Sequence, residues 1–208
     1  MAKQLNPKDN TTRQELLKVG IELFGKYGYR SVTTKSINEY SGISSALVAY
    51  HFGNKENYYH EVFKAITDEL INWFQAITPT DLSTMSELEL KQQIERSITH
   101  FFDWMFSEHG TCGTYIFFRE MVSQEHPQTQ AEASRAVSFI TPLFINLFDA
   151  YYKKINKPEV NATFIWIILI SLAQNISLHL NAPEEARQAF QRAQIQSSIL
   201  DLILNKYS

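Results

Sequence analysis

The chain has 208 residues, 44% of them hydrophobic and 20% charged, with a formal net charge of −3 at pH 7. That is the composition of a globular protein of one large or two small domains, and it excludes a fibrous or disordered chain. The single cysteine, Cys112, excludes a disulfide framework and suits a reducing cytosol, and Met1 to Pro7 hold no apolar run of the kind that opens a signal peptide. The expected location is therefore cytoplasmic.

A net negative charge argues against a polyanionic partner, but its distribution does not. Residues 1–55 carry eight Lys or Arg and four Asp or Glu, whereas the remainder carries eleven and eighteen. A basic head on an acidic body is the asymmetry expected when one end alone meets nucleic acid.

The pattern is helical throughout, with no internal repeat. A first helix is expected from a capping box at Thr12 and Glu15, with Leu16, Gly20, Leu23, Phe24 and Tyr27 on its inner face and Gly28 ending it. A brief helix over about 34–41 follows, with Thr34 as its cap. Gly42 and Ile43 then turn tightly into a third helix from Ser44 to Phe52. Asn54 caps a long fourth helix whose inner side holds Tyr59, Val62, Phe63, Ile66, Leu70 and Phe74. After the loop from Thr78 to Ser83, helices are expected at about 87–107, 114–124, 129–156, 159–181 and 184–206. The breaks between them fall at Gly110–Gly113, Glu125–Pro127, Lys157–Pro158 and Asn181–Pro183. The fold class is thus all-α, with about nine helices in all.

Two short helices joined by a glycine turn are the DNA-binding helix-turn-helix arrangement, although an ordinary three-helix corner of a larger bundle has the same outline. Ile37, Ile43, Val48 and Phe52 are spaced to pack on Leu23 and Phe24, which leaves Ser45, Ala46, Ala49 and Tyr50 on the free face of the third helix.

The stretch from Leu16 to Tyr59 resembles the N-terminal domain of the TetR family. The matching features are the Leu23-Phe24 and Gly28-Tyr29 end of the first helix, Thr33-Thr34 with Ile37, the turn Gly42-Ile43-Ser44, Tyr50-His51-Phe52, and Gly53-Asn54-Lys55-Glu56. With Ala49 before Tyr50-His51-Phe52-Gly53 and with Phe118-Arg119-Glu120-Met121 further on, the chain resembles the CecR (YbiH)-like subgroup. The resemblance implies a DNA-binding domain over 1–55, with its recognition motif at about 33–52, and a ligand-binding and dimerisation domain over 56–208. It implies a ligand-responsive transcriptional repressor that binds a palindromic operator in double-stranded DNA as a homodimer and is released by a small-molecule effector. Carried over by position, it assigns DNA contacts to Thr34, Lys35, Ser45, Ala46, Leu47, Tyr50, His51 and Lys55. Ala49 departs from the commoner family pattern, which has a backbone-gripping tyrosine there.

The recognition helix holds no Arg, Asn or Gln, the side chains that make bidentate pairs with purines. Base reading is therefore expected from thymine-methyl contacts, Ser45, Lys35 and DNA shape.

Helix 8 is apolar on nearly all sides and helix 9 carries an apolar stripe. Phe164, Ile168, Leu172, Phe190, Ile195, Ile199 and Leu202 are accordingly expected at the dimer interface. Residues 160–183 lack charge over about the length of a membrane span, but Ser171, Gln174, Asn175, Ser177, His179 and Asn181 argue for burial in protein and against a membrane partner.

The middle helices are rich in aromatic residues. Most of these are ordinary core; a cavity among them for an apolar or aromatic effector would draw on Phe101, Met105, Tyr115, Phe118, Arg119, Met121 and Phe144. Arg119 and Glu120 either anchor such a molecule or pair with each other. No enzyme signature appears and no cofactor is expected. The six histidines show no zinc spacing, so no metal is expected. Glu56 and His60, four apart, read as a surface pair. Cys112 has no identifiable activating base.

Overall fold

The computed structural model describes residues 7–79, 81–123, 125–182 and 192–205. Among them every regular element is a helix: α1 (Pro7–Ser31), α2 (Thr34–Ser41), α3 (Ser45–Phe52), α4 (Lys55–Gln75), α5 (Glu87–Met105), α6 (Glu108–Ser123), α7 (Pro127–Lys154), α8 (Ala162–Leu180) and α9 (Arg192–Leu204).

The head is α1 to α3 with the first turns of α4. Its turns are set by local chemistry. Thr33 and Ser36 cap each other, Thr33 Oγ1 accepting from the Ser36 amide at 3.0 Å and Ser36 Oγ from the Thr33 amide at 2.9 Å. This corrects the expectation for Thr34, which is the first helical residue and leaves its side chain exposed. Gly42 sits at φ 72°, ψ 0°, a left-handed cap that a side chain would strain, and its amide bonds the Asn38 carbonyl at 2.8 Å. Asn54 caps α4 through the Asn57 amide at 2.8 Å.

α1 begins before the capping box, which lies inside the helix, because Pro7 already has the fixed φ of a first helical residue. Gly28, at φ 75° and ψ 162°, does interrupt it. That break turns Tyr29 back onto Phe24, with ring centroids 6.1 Å apart, and leaves Tyr27 60% exposed on the outside, contrary to its expected inner position.

Leu16, Leu23, Phe24, Ile37, Val48 and Phe52 are buried together with Tyr58 and Tyr59. The Tyr58 hydroxyl donates to the Leu16 carbonyl, so α4 is tied to α1 by both packing and a buried hydrogen bond.

The body is built on α4, whose expected inner residues are all buried and which packs along α7. α6 starts at Glu108 and runs through the segment expected to be a break. Gly110 and Gly113 are close-approach positions here. A β-carbon on Gly113 would meet Ile66 of α4 at 3.3 Å, and Gly25 of α1 and Cys112 of α6 are tighter still, 2.5 Å from an added β-carbon to the Cys112 β-carbon. Glycine placed for packing looks the same in sequence as glycine placed for a turn.

α8 lies on α6 and α7 and buries Ile165, Trp166, Leu169, Ala173 and Ile176. Its opposite face leaves Phe164 (56%), Ile167, Leu172 and Leu178 exposed. α8 is long and apolar enough to cross a membrane, with mean hydropathy 1.6, but a third of that window is buried against the body and the polar residues from Ser171 to His179 interrupt it. α9 rests on α5, and Tyr152 of α7 donates to the Ile203 carbonyl at 2.8 Å. The start of the last expected helix, with Phe190, lies outside the described residues.

Candidate nucleic-acid interface and body cavities

α3 has two unlike faces. Val48 and Phe52 point into the head core, while Ser45, Ala46, Leu47, Ala49 and Tyr50 are exposed, Tyr50 to 61%. Short side chains flanked by Leu47 and Tyr50 make a surface that a major groove admits closely, and a rod eight residues long is held at both ends, by the Ser44 cap and by Gly53.

Around it stand the other residues implicated by sequence. Thr34 and Lys35 are exposed at the start of α2, where Lys35 Nζ lies 3.5 Å from Glu39. His51 is half-buried against Tyr50, ring centroids 5.0 Å apart, and its Nε2 has no partner among the described residues. Lys55 is half-buried at the first turn of α4, its ammonium 4.3 Å above the Tyr29 ring, and burial lowers its pKa below the ordinary lysine value. The α4 N-terminus presents free amides beside it, which with the helix dipole favour an anion.

Head and body meet in a buried polar cluster that sequence reasoning did not find. Glu120 of α6 is 1% exposed. Its Oε1 accepts from the Tyr59 hydroxyl at 2.6 Å; its Oε2 accepts from Thr129 Oγ1 at 3.3 Å and lies 3.0 Å from His126 Nδ1. Arg119 Nη2 donates to the Tyr59 hydroxyl at 3.0 Å, and Nη1 reaches the Phe24 carbonyl of α1 at 3.5 Å. Arg119 and Glu120 also approach each other, at 4.0 Å. His126 packs on Tyr29 at 4.4 Å and on Tyr59 at 4.7 Å between centroids. Burial is the main cause raising the Tyr59 pKa far above the ordinary phenol value, so the hydroxyl stays a donor.

The body holds two neighbouring cavities. One, of about 150 Å³, lies between α4, α5, α6, α7 and α8 and is walled by Leu70, Phe74, Phe101, Phe117, Ile140 and Trp166, with Trp104, Phe118 and Met121 also lining it. The other, of about 330 Å³, adjoins the loop after α4 and is lined by Phe74, Phe144, Gln93, Ser97, Asp81 and Ser83 among others. Of the sequence candidates, Phe101, Phe118 and Met121 line the first and Phe144 the second, with Phe74 common to both. Met105, Tyr115 and Arg119 line neither; Arg119 is committed to the junction, its guanidinium 5.7 Å from the Tyr115 ring. Phe74, Trp104, Phe117 and Trp166 are among the residues missed, because a buried aromatic position does not reveal in sequence whether its ring faces a void.

Of the expected dimer residues, Phe164 and Leu172 are exposed, Ile168, Ile195 and Leu202 are half-buried, and Ile199 is buried within the chain. Cys112 is buried against Gly25, and burial raises its thiol pKa.

Residues 16–62 match the family model for bacterial regulatory proteins of the tetR family. Over 88 residues the chain is 31% identical to the HTH-type transcriptional repressor KstR2 of Rhodococcus jostii, covering 40% of this chain and 43% of that one. Over 50 residues it is 36% identical to the HTH-type transcriptional repressor AcnR of Corynebacterium glutamicum, covering 24% and 27%. The matched segment thus spans less than half of each relative. Among solved structures, the ketosteroid transcriptional regulator KstR2 of Mycobacterium tuberculosis superposes with a TM-score of 0.67 at 19% identity, over 96% of both chains. The fatty acid degradation regulator FadR of Bacillus halodurans does so with a TM-score of 0.67 at 10% identity, over 98% of both. The head, residues 16–62, thus matches the tetR family of bacterial regulatory proteins, and the whole length shares the fold of these solved structures.

Proposed function

We propose that the chain is a one-component transcriptional repressor: a homodimer that places its two α3 helices in successive major grooves of a palindromic operator and leaves DNA when a small apolar effector enters the body. The observation that carries this reading is the division of α3 into a buried face at Val48 and Phe52 and an exposed face at Ser45, Ala46, Leu47 and Tyr50. Such a helix reads DNA with its outer face, while Thr34, Lys35, His51 and Lys55 meet the flanking phosphates and Lys35 also reaches a base edge.

The exposed apolar face of α8 supports dimerisation. Phe164, Ile167, Leu172 and Leu178 together form a stripe of the kind that a second copy covers, with α9 alongside, and the cytoplasm is the compartment in which such a protein meets DNA. The boundary proposed between DNA-binding and sensing parts remains at about residue 55. The subgroup likeness to CecR-type regulators rests on Ala49 and on Phe118 to Met121 and is part of the same proposal.

The effector reading is supported by the apolar cavity and by relatives whose names mention ketosteroids and fatty acid degradation. A gel-shift titration with DNA from upstream of the protein's own gene, in excess non-specific competitor, tests the whole. A discrete complex that outlasts the competitor is expected; retardation lost equally with every sequence would reject the reading.

A further inference from the structure

We propose that the cavity between α4, α5, α6, α7 and α8 takes an uncharged, largely hydrocarbon molecule whose single oxygen acceptor is held by the indole N–H of Trp104. The inference rests on reading the body as the sensor and names the chemistry of what it senses.

Trp104 is 2% exposed, lines this cavity, and its Nε1–H has no acceptor among the described residues. A buried donor left unpaired has given up its bond to water for nothing, and such atoms are few in folded proteins. The contrast with Trp73 is instructive: its indole N–H donates to the His100 carbonyl at 2.9 Å. At Trp104 the natural occupant of the vacant bond is a ketone, ester or ether oxygen.

The remaining walls decide what else the occupant is. No Lys, Arg, His, Asp or Glu lines the cavity. A carboxylate or ammonium placed there would lose its hydration without a counter-charge. The polar side chains beside Trp104 are Thr114, whose hydroxyl is already donated to the Gly110 carbonyl at 2.5 Å, and Thr141. Rings of Phe74, Phe101, Phe117 and Trp166 favour a flat, hydrophobic body.

A volume of about 150 Å³ admits a single ring with a short substituent. Anything longer must displace Phe74, the shared wall, and run into the second cavity. Trp104 also adjoins Gly113, 3.8 Å from the position of an added β-carbon, on the helix that packs against α1. An occupant bonded to this indole therefore presses on the helix that touches the head.

The test uses acetophenone, its planar hydrocarbon counterpart α-methylstyrene, and benzoate, titrated calorimetrically into the full chain and into Trp104→Phe. The ketone is expected to bind about tenfold more tightly than the hydrocarbon, with the preference abolished in the variant and benzoate weakest of the three. In the unaltered protein, proton NMR is expected to show the Trp104 indole N–H moving downfield with acetophenone and not with α-methylstyrene, which reads the bond without relying on the variant's folding. Equal affinities, a preference that survives Trp104→Phe, tighter benzoate, an unmoved N–H, or no binding of any probe would overturn the proposal. A parallel gel shift separates the readings. Operator binding without a ketone preference removes this inference alone, whereas a ketone preference in a chain that ignores DNA removes the regulator reading and leaves the cavity chemistry standing.

Discussion

His126 Nδ1 and Glu120 Oε2 stand 3.0 Å apart in a place where both side chains are nearly sealed from water. The carboxylate there also accepts from Tyr59 and Thr129, so its lone pairs are occupied by donors from α4, α7 and the residue preceding α7. On the far side of the His126 ring is Tyr29, and over Tyr29 lies the ammonium of Lys55. A contiguous set of contacts thus runs from a buried acid in the body to a cation at the start of α4.

Replacing that acid is expected to be costly. Glu120→Ala leaves the Tyr59 hydroxyl and His126 Nδ1 buried without their carboxylate partner, while Thr129 keeps the His126 carbonyl at 2.7 Å, and should lower unfolding free energy by about 3 kcal/mol. Glu120→Gln keeps an acceptor and should lose roughly 1 kcal/mol. Urea denaturation of the two variants checks this; equal and small losses would mean the cluster is incidental.

Tyr58 and Tyr59 give an alkaline limit to stability. Burial raises both phenol pKa values on folding. Below the ordinary tyrosine value near pH 10, folded and unfolded chains hold the same protons and these groups leave stability unchanged. Above it the unfolded chain ionises first, so stability falls as pH rises. The buried Cys112 thiol, whose pKa is also raised, should begin a shallow fall in melting temperature above about pH 8.5; the two tyrosines should steepen it beyond about pH 10, and Tyr59→Phe should shallow that steeper part. A steepened fall in that variant would contradict the assignment.

Gly25→Ala sets a new methyl 2.5 Å from the Cys112 β-carbon and 3.1 Å from its α-carbon, both rigidly held. Overpacking of this kind costs about 1–3 kcal/mol, and α1 must move off α6 to relieve it. Thermal denaturation should show the loss, and operator affinity should fall with it if the α1–α6 contact sets the pose of the head. An unchanged melting temperature would show that the two helices slide apart freely.

On the DNA face, stability and binding should separate. Tyr50→Ala removes an exposed ring and should change unfolding free energy by less than about 0.5 kcal/mol while weakening operator binding roughly tenfold. Lys55→Ala should weaken binding to all sequences alike and flatten the dimer's log–log salt slope, expected at about −4 to −7, by roughly one per subunit. Fluorescence anisotropy at several salt concentrations distinguishes these outcomes. Loss of discrimination with non-specific affinity intact would remove Lys55 from the phosphate.

The head was legible from sequence because its determinants are local. Gly28, Gly42 and Gly53 all have positive φ, and Asn54 caps the residue three along, so neighbours in the chain carry the signal. The body was legible only as helices. Gly110 answers to the close backbone of Trp104 six residues before it, whereas Gly113 imitates a break because the reason for it lies at Ile66 on α4, far off in the chain. The Glu120 cluster was invisible for the same reason, since Tyr59 is sixty-one residues away from Glu120. Tyr27, the last residue before Gly28 breaks the helix, was misplaced: it is 60% exposed, and the inward ring at this end of α1 is that of Tyr29, beyond the break.

Selection of binding sites from a random duplex library, with the bound DNA sequenced, tests most directly whether paired α3 helices read an operator. Recovery of an inverted repeat, its half-sites about one helical turn apart and rich in thymine where Ala46, Leu47 and Ala49 face the groove, is the expected result. A lone asymmetric half-site, or a bound pool no different in sequence from the starting library, would contradict it.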